Sequence, residues 1–134
     1  TALFIESQTM VKNKSSKINK KSLINKIETS NLKTNIPNFR VGDFVKLGVE
    51  IKEGQKTRIQ AYDGLIISKR GESLNKTIVV RRVISGIGIE RCFLVFSPKI
   101  KFFEIKRSSK VRRAKLYYLR ALKGKSAILK KRFD

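Results

Sequence analysis

The side chains able to do chemistry gather in one stretch, Lys106 to Arg120, which reads KRSSKVRRAKLYYLR. Seven of its fifteen residues are Lys or Arg, none is acidic, and Tyr117 and Tyr118 stand side by side near its end. Cations at this density seek phosphates, and an aromatic face stacks on a base or packs on a sugar. That is the chemistry of polyanion recognition, and nothing elsewhere in the chain competes with it. Histidine is absent, which removes the commonest general base and the commonest metal ligand together. The single cysteine, Cys92, rules out an internal disulfide and a cysteine-based zinc cluster. It lies in an apolar alternating run, which predicts an inert buried thiol. The carboxylates Asp43, Glu50, Glu53, Asp63, Glu72 and Glu90 fall mostly at turns or on polar strand faces beside basic residues, so they read as solvated counter-charges. Gly86-Ile87-Gly88 lacks the third glycine and the following helix of a dinucleotide loop, and reads as a hairpin turn. No catalysis, cofactor or metal is expected.

The charge of the whole chain points the same way. Its 134 residues carry a formal net charge of +22. Residues 99–134 hold fourteen basic and two acidic side chains, more than half of that excess. Self-repulsion on this scale destabilises a compact monomer, so a polyanionic partner is the natural compensation. Nucleic acid suits it better than a membrane, because no uninterrupted apolar run approaches the roughly 20 residues that span a bilayer. Full disorder is disfavoured by a hydrophobic content of 40%, most of it in the middle of the chain.

Three regions must position these groups. Residues 1–35 form a basic extension in which Ile18, Leu23, Ile24 and Ile27 predict a short amphipathic helix at about 17–29, with Ser15 or Ser16 as cap. The chain's first Arg is Arg40, beyond the extension and unlike Arg-rich transit peptides, so a mature extension is expected. Residues 36–106 carry strand signals. Val45, Leu47, Val49 and Ile51 alternate with polar residues and Gly48, Gly54 turns the chain, and Ile59 to Ile67 follows with a bulge or bend expected at Gly64. Arg70 to Lys76 reads as a polar loop and Thr77 to Ile84 as a β-branched strand. A turn over Ser85 to Gly88, a strand from Ile89 to Ser97 and a last strand from Lys99 to Lys106, with a second bulge, complete a small barrel. Residues 107–134 form a basic C-terminal extension, with a helix expected from about Val111 to Leu122, capped by Ser108 or Ser109 and stopped at Gly124.

That helix would set Val111, Ala114, Tyr118 and Leu122 on one face and turn the cations away from it. Tyr118 is therefore expected against the barrel, and Tyr117 is the stacking or sugar-contact candidate. Arg81 and Arg82 point to opposite faces of their strand. One faces solvent or RNA, while the other reaches a barrel rim or pairs with an acid such as Glu90.

Ile36 to Asp43 (IPNFRVGD), Ile59 to Gly64 (IQAYDG), Gly86 to Arg91 (GIGIER), Ser97-Pro98 and Val111 to Arg120 (VRRAKLYYLR) occur in this order. Together they resemble the bacterial-type large-subunit ribosomal protein L-nineteen family, over about residues 36–132. Val41 stands where many members have proline, and Ser108-Ser109 replaces a frequent glycine, a pattern similar to plastid-encoded members. The resemblance implies an SH3-like β-barrel in a mainly β protein, with helical extensions, bound to large-subunit ribosomal RNA. It further implies bridges to small-subunit RNA across the subunit interface and neighbours of the L-fourteen and L-three families. A plastid ribosome is favoured over a mitochondrial or bacterial one. The expected RNA contacts are Arg40, Lys69, Arg70, Arg81, Lys106, Arg107, Lys110, Arg112, Arg113, Lys115, Tyr117, Arg120 and Lys123. A free RNA- or DNA-binding regulator and a cationic membrane-surface protein share the charge and remain as alternatives.

Overall fold

The computed structural model describes residues 19–32 and 35–133. One helix, α1 (Lys20–Ser30), precedes five strands: β1 (Phe44–Glu53), β2 (Lys56–Arg70), β3 (Thr77–Ile84), β4 (Ile87–Leu94) and β5 (Ile100–Arg107). All neighbours are antiparallel and the sheet order is β4-β3-β2-β1-β5. The fold is mainly β, as expected. It is barrel-like but open, since no ladder joins β4 to β5 among the described residues. Strand alternation sets the inner face: Val45, Leu47 and Val49 from β1, Ile66 from β2, Ile78 and Val80 from β3, Phe93 from β4 and Ile100 from β5 are all buried.

The helix starts one turn later than expected. Asn19 caps it, its side chain accepting from the Lys21 N–H, while Ser15 and Ser16 lie outside the described residues. Leu23, Ile24 and Ile27 are exposed, so α1 adds nothing to the core. Between β3 and β4 the turn is tighter than the expected four residues. Ile84 pairs directly with Ile87, and Ser85 and Gly86 both have positive φ, the geometry of a two-residue hairpin turn that follows the strand twist.

The bulge of β2 is displaced from Gly64 to Ile67. Ile66 pairs with Val80 and Ser68 with Val79, which leaves Ile67 as the extra residue and makes Ile66, Ile67 and Ser68 consecutively buried. Gly64 has a different task. A Cβ there would lie 2.6 Å from the Arg81 carbonyl oxygen and 2.8 Å from Val80 Cγ1, so the glycine admits the β3 backbone. The second bulge does occur, where β1 and β5 shift register near Gly48 and near Phe44.

No α-helix forms over 111–122. The chain bends there and then makes a 3₁₀ turn at Tyr117–Arg120, followed by another at Gly124–Ala127. The Leu116 N–H is spent on the Ile67 carbonyl at 2.8 Å and cannot serve a helical ladder. Lys110, Arg112, Arg113 and Lys115 would also repel one another on adjacent helical turns with no acid between them. The anchors are Leu116 and Leu119, three residues apart as a 3₁₀ turn requires, and both join the core of the sheet. Ser109 is not a helix cap; it is buried in a bridge to Lys131. The expected packing of Ala114 and Tyr118 is likewise replaced, since both are exposed.

Replacing Gly64 with Ala should cost about 1–3 kcal/mol by forcing β2 and β3 apart. Urea unfolding should show a lower midpoint with an unchanged slope.

Candidate nucleic-acid interface

Two adjoining clefts collect the basic side chains. Near the end of β2 the chain has been crossed by the segment leading into β1 and by the C-terminal segment. Gly42 N–H donates to the Ile66 carbonyl at 2.9 Å, and Val111 packs against Gly42, whose φ of 94° and lack of Cβ allow the contact. Asp43 is buried and its carboxylate accepts the Arg40 N–H at 2.7 Å, which fixes the IPNFRVGD turn. The C-terminal end then returns: Lys110 N–H donates to Lys130 O and Arg132 N–H to Ser108 O, each at 3.0 Å. The larger cleft is lined by Arg40, Lys69, Lys110, Lys115 and Arg132 beside Val41, Ser109, Val111 and Ala114. The Ser109 hydroxyl is buried with no hydrogen-bond partner. The smaller cleft is lined by Lys69, Arg70, Lys115 and Tyr117 together with Ser68, Thr77, Val79 and Cys92. Lys69 and Lys115 belong to both, so the two form one trough. No acid lines either cleft among the described residues.

The expected contacts divide accordingly. Arg40, Lys69, Arg70, Lys110, Lys115 and Tyr117 converge on the trough. Arg112 and Arg113 are exposed on the adjoining segment, with the Arg113 guanidinium 4.9 Å over the Tyr118 ring. Arg81 is turned away from solvent. Its guanidinium hydrogen-bonds Glu90 at 2.9 Å, its side chain is 15% exposed, and it fills the space a Cβ at Gly88 would need. The partner Arg82 is the more exposed of the two and pairs with Asp63 at 3.1 Å. Arg120 makes a two-point pair with the same Glu90, at 2.8 and 2.6 Å. Lys106 hydrogen-bonds Glu104 at 2.8 Å. Arg107 lies on another face, in an apolar groove with Phe44, Leu119 and Leu129, and Lys123 lines a groove beside Glu90 and Arg120.

Cys92 is exposed, contrary to the buried thiol expected. β4 is an edge strand, and with Phe93 facing the core its neighbour must face out. Arg132 was not among the expected contacts, although it belongs to the basic end of the sequence. Only the long-range bridge between Ser109 and Lys131 brings it to the trough, and no local pattern announces that bridge.

Glu90 is the electrostatic centre of the region. Hydrogen bonds from Arg120 hold its carboxyl below the usual carboxylate range; partial burial opposes this, and the attraction of both guanidiniums and the Arg81 hydrogen bond add to it. The same pairing raises the pKa of Arg120.

A small open sheet that buries its apolar face on one side and presents a cationic trough, lined by no acid among the described residues, defines a class, the small basic β proteins. The chain belongs to the family described as Ribosomal protein L19, whose model matches residues 22–132. It is 54% identical over 111 residues to a Large ribosomal subunit protein bL19c of Thalassiosira weissflogii, covering 83% of this chain and 92% of that protein. It is 53% identical over 112 residues to a Large ribosomal subunit protein bL19 of Nostoc punctiforme, covering 84% and 93%. A bL19c of Trieres chinensis is 52% identical over 116 residues, covering 87% of this chain and 97% of its own length.

Because the folded pKa of Glu90 lies below its unfolded value, the folded state binds that proton less readily. Its contribution to stability is complete above the ordinary carboxylate range and is lost as pH falls through that range towards the folded pKa. Glu90→Gln should therefore lower stability at neutral pH by about 1–2 kcal/mol and flatten the acid limb of a pH–stability curve measured by urea titration.

Proposed function

We propose that this chain, by its family a structural constituent of the large ribosomal subunit, binds large-subunit ribosomal RNA through the trough of Arg40, Lys69, Arg70, Lys110 and Lys115. The observation that carries the reading is the convergence of these cations, from three separate stretches of sequence, onto one surface that no acid lines among the described residues. Recognition is by shape, through phosphates and 2′-hydroxyls, because A-form grooves offer side chains little base readout. Arg112 and Arg113 extend the contact along the exposed bend after Ser109. Neutralising about six phosphates would make affinity fall steeply with salt, and each trough cation removed should reduce the log–log slope by about one.

The remaining surfaces suit the other contacts of a ribosomal protein. The exposed β3–β4 tip, with Val83, Ile84 and Ile87, and the apolar groove beside Arg107 suit protein neighbours of the L-fourteen and L-three families. Relatives of the bL19c and cyanobacterial bL19 kinds support a plastid ribosome as the location.

Sedimentation through sucrose at moderate salt should carry the protein with large subunits, and nuclease should release it. A free regulator would stay at the top of the gradient, while a membrane-surface protein would pellet with anionic vesicles and ignore nuclease. Charge reversal of Arg112 and Arg113 together, or of Lys69 and Lys115 together, should reduce incorporation into large subunits. Full incorporation of both double variants would remove the trough and its extension as the main contact.

A further inference from the structure

Resting on the ribosomal-RNA reading, we propose that the smaller cleft is a pocket for one unstacked nucleotide, its base lying against Tyr117. The cleft encloses about 200 Å³, enough for a flat heterocycle but not for a whole nucleotide. Its neutral wall is Thr77, Val79 and Cys92, and its cations, Lys69, Arg70 and Lys115, are placed to meet the phosphates on either side of an inserted base.

The ring is not merely exposed; it is held. Tyr117 is 41% exposed, yet the Arg120 guanidinium lies 4.6 Å over the ring centroid. Arg120 is itself fixed by two hydrogen bonds to Glu90, which a third hydrogen bond ties to Arg81 on β3. A stacking platform fixed before the ligand arrives loses little rotamer entropy on binding. One face of the ring is thus taken by a cation anchored in the sheet, and Glu90 acts as a positioning residue for the platform. Bases inside an A-form duplex are paired and stacked and cannot enter such a pocket, whereas a bulged or looped nucleotide can. The trough as a whole reads backbone charge, and this end of it selects an unpaired position.

Cys92, the only cysteine and exposed on the pocket wall, is a built-in reporter. Two RNA hairpins of equal stem length, each closed by a non-nucleotide linker so that no loop base is free, would be compared, one fully paired and one with a single-nucleotide bulge. Each would be added to the full chain at saturation, with binding followed separately by anisotropy and Cys92 alkylation by iodoacetamide followed by mass spectrometry. The bulged hairpin should slow alkylation several-fold and the paired one should leave it nearly unchanged. Tyr117→Ala should weaken the bulged complex about five- to 150-fold, the range of one lost base stack, and the paired complex by much less. Tyr117→Phe should retain the preference, and Glu90→Gln should reduce it without abolishing paired binding. Equal protection by the two hairpins, or none from either while both are bound, would overturn the pocket and leave the RNA-binding reading standing. Failure of both hairpins to bind at low salt would overturn the two together.

Discussion

The structure depends on what happens at Ile67. One extra residue in β2 turns that carbonyl out of the ladder, and the Leu116 N–H takes it at 2.8 Å. Without the bulge the carbonyl would be spent on β3 and the C-terminal segment would have no backbone contact at this point. With it, Leu116 and Leu119 enter the core, and the cations on either side of Leu116 are held on the surface. A sheet that stays open at its ends thereby gains a side wall without a sixth strand. The trough is the space between that wall, the Arg40 turn and the end of β2.

Electrostatics completes the arrangement by subtraction. Among the described residues Glu53, Asp63, Glu90, Glu50 and Glu104 each pair with a cation from the same or a neighbouring strand, and Asp43 is buried in its own turn. Exposed pairs of this kind contribute little to stability. What they do is keep carboxylates away from the trough, so the excess of positive charge is concentrated rather than averaged over the surface. Glu90 is the exception in strength, because two guanidiniums converge on it and one of them carries the aromatic ring.

Much of the fold was legible because its signals are local. Alternation in Val45 to Ile51 and β-branching in Thr77 to Ile84 put β1 and β3 where they are found, and Gly54 turns the chain as expected. Most of the misreadings come from tertiary context overriding a local pattern. The stretch after Ser109 has helix-compatible spacing, but its Leu116 amide is claimed by the sheet, so Tyr118 is exposed rather than packed. Cys92 sits among apolar residues, yet β4 is an edge whose second face is open. Of Arg81 and Arg82, one was expected to face RNA and the other to reach a rim or pair with an acid such as Glu90; the hairpin register sets Glu90 opposite Arg81, the member of the pair expected among the RNA contacts. Of the trough, the cationic composition was readable and the geometry was not, since Arg132 reaches it only by pairing of the far C-terminus.

The threefold repeat of the C-terminal anchor has a consequence for how this protein can change in length. Leu116 and Leu119 occupy adjacent turns of a tight spiral, and Leu122 follows at the same interval, half-buried. Inserting or deleting one residue between them rotates every later side chain by a third of a turn, which would lift an anchor from the core and drive a neighbour, Tyr118 or Arg120, in behind it. At the β1–β2 tip, by contrast, Gly54 has open space around it, and extra residues there would extend only into solvent. Variation in length among related chains should therefore gather at the hairpin tip and be purged from the seven residues Leu116 to Leu122.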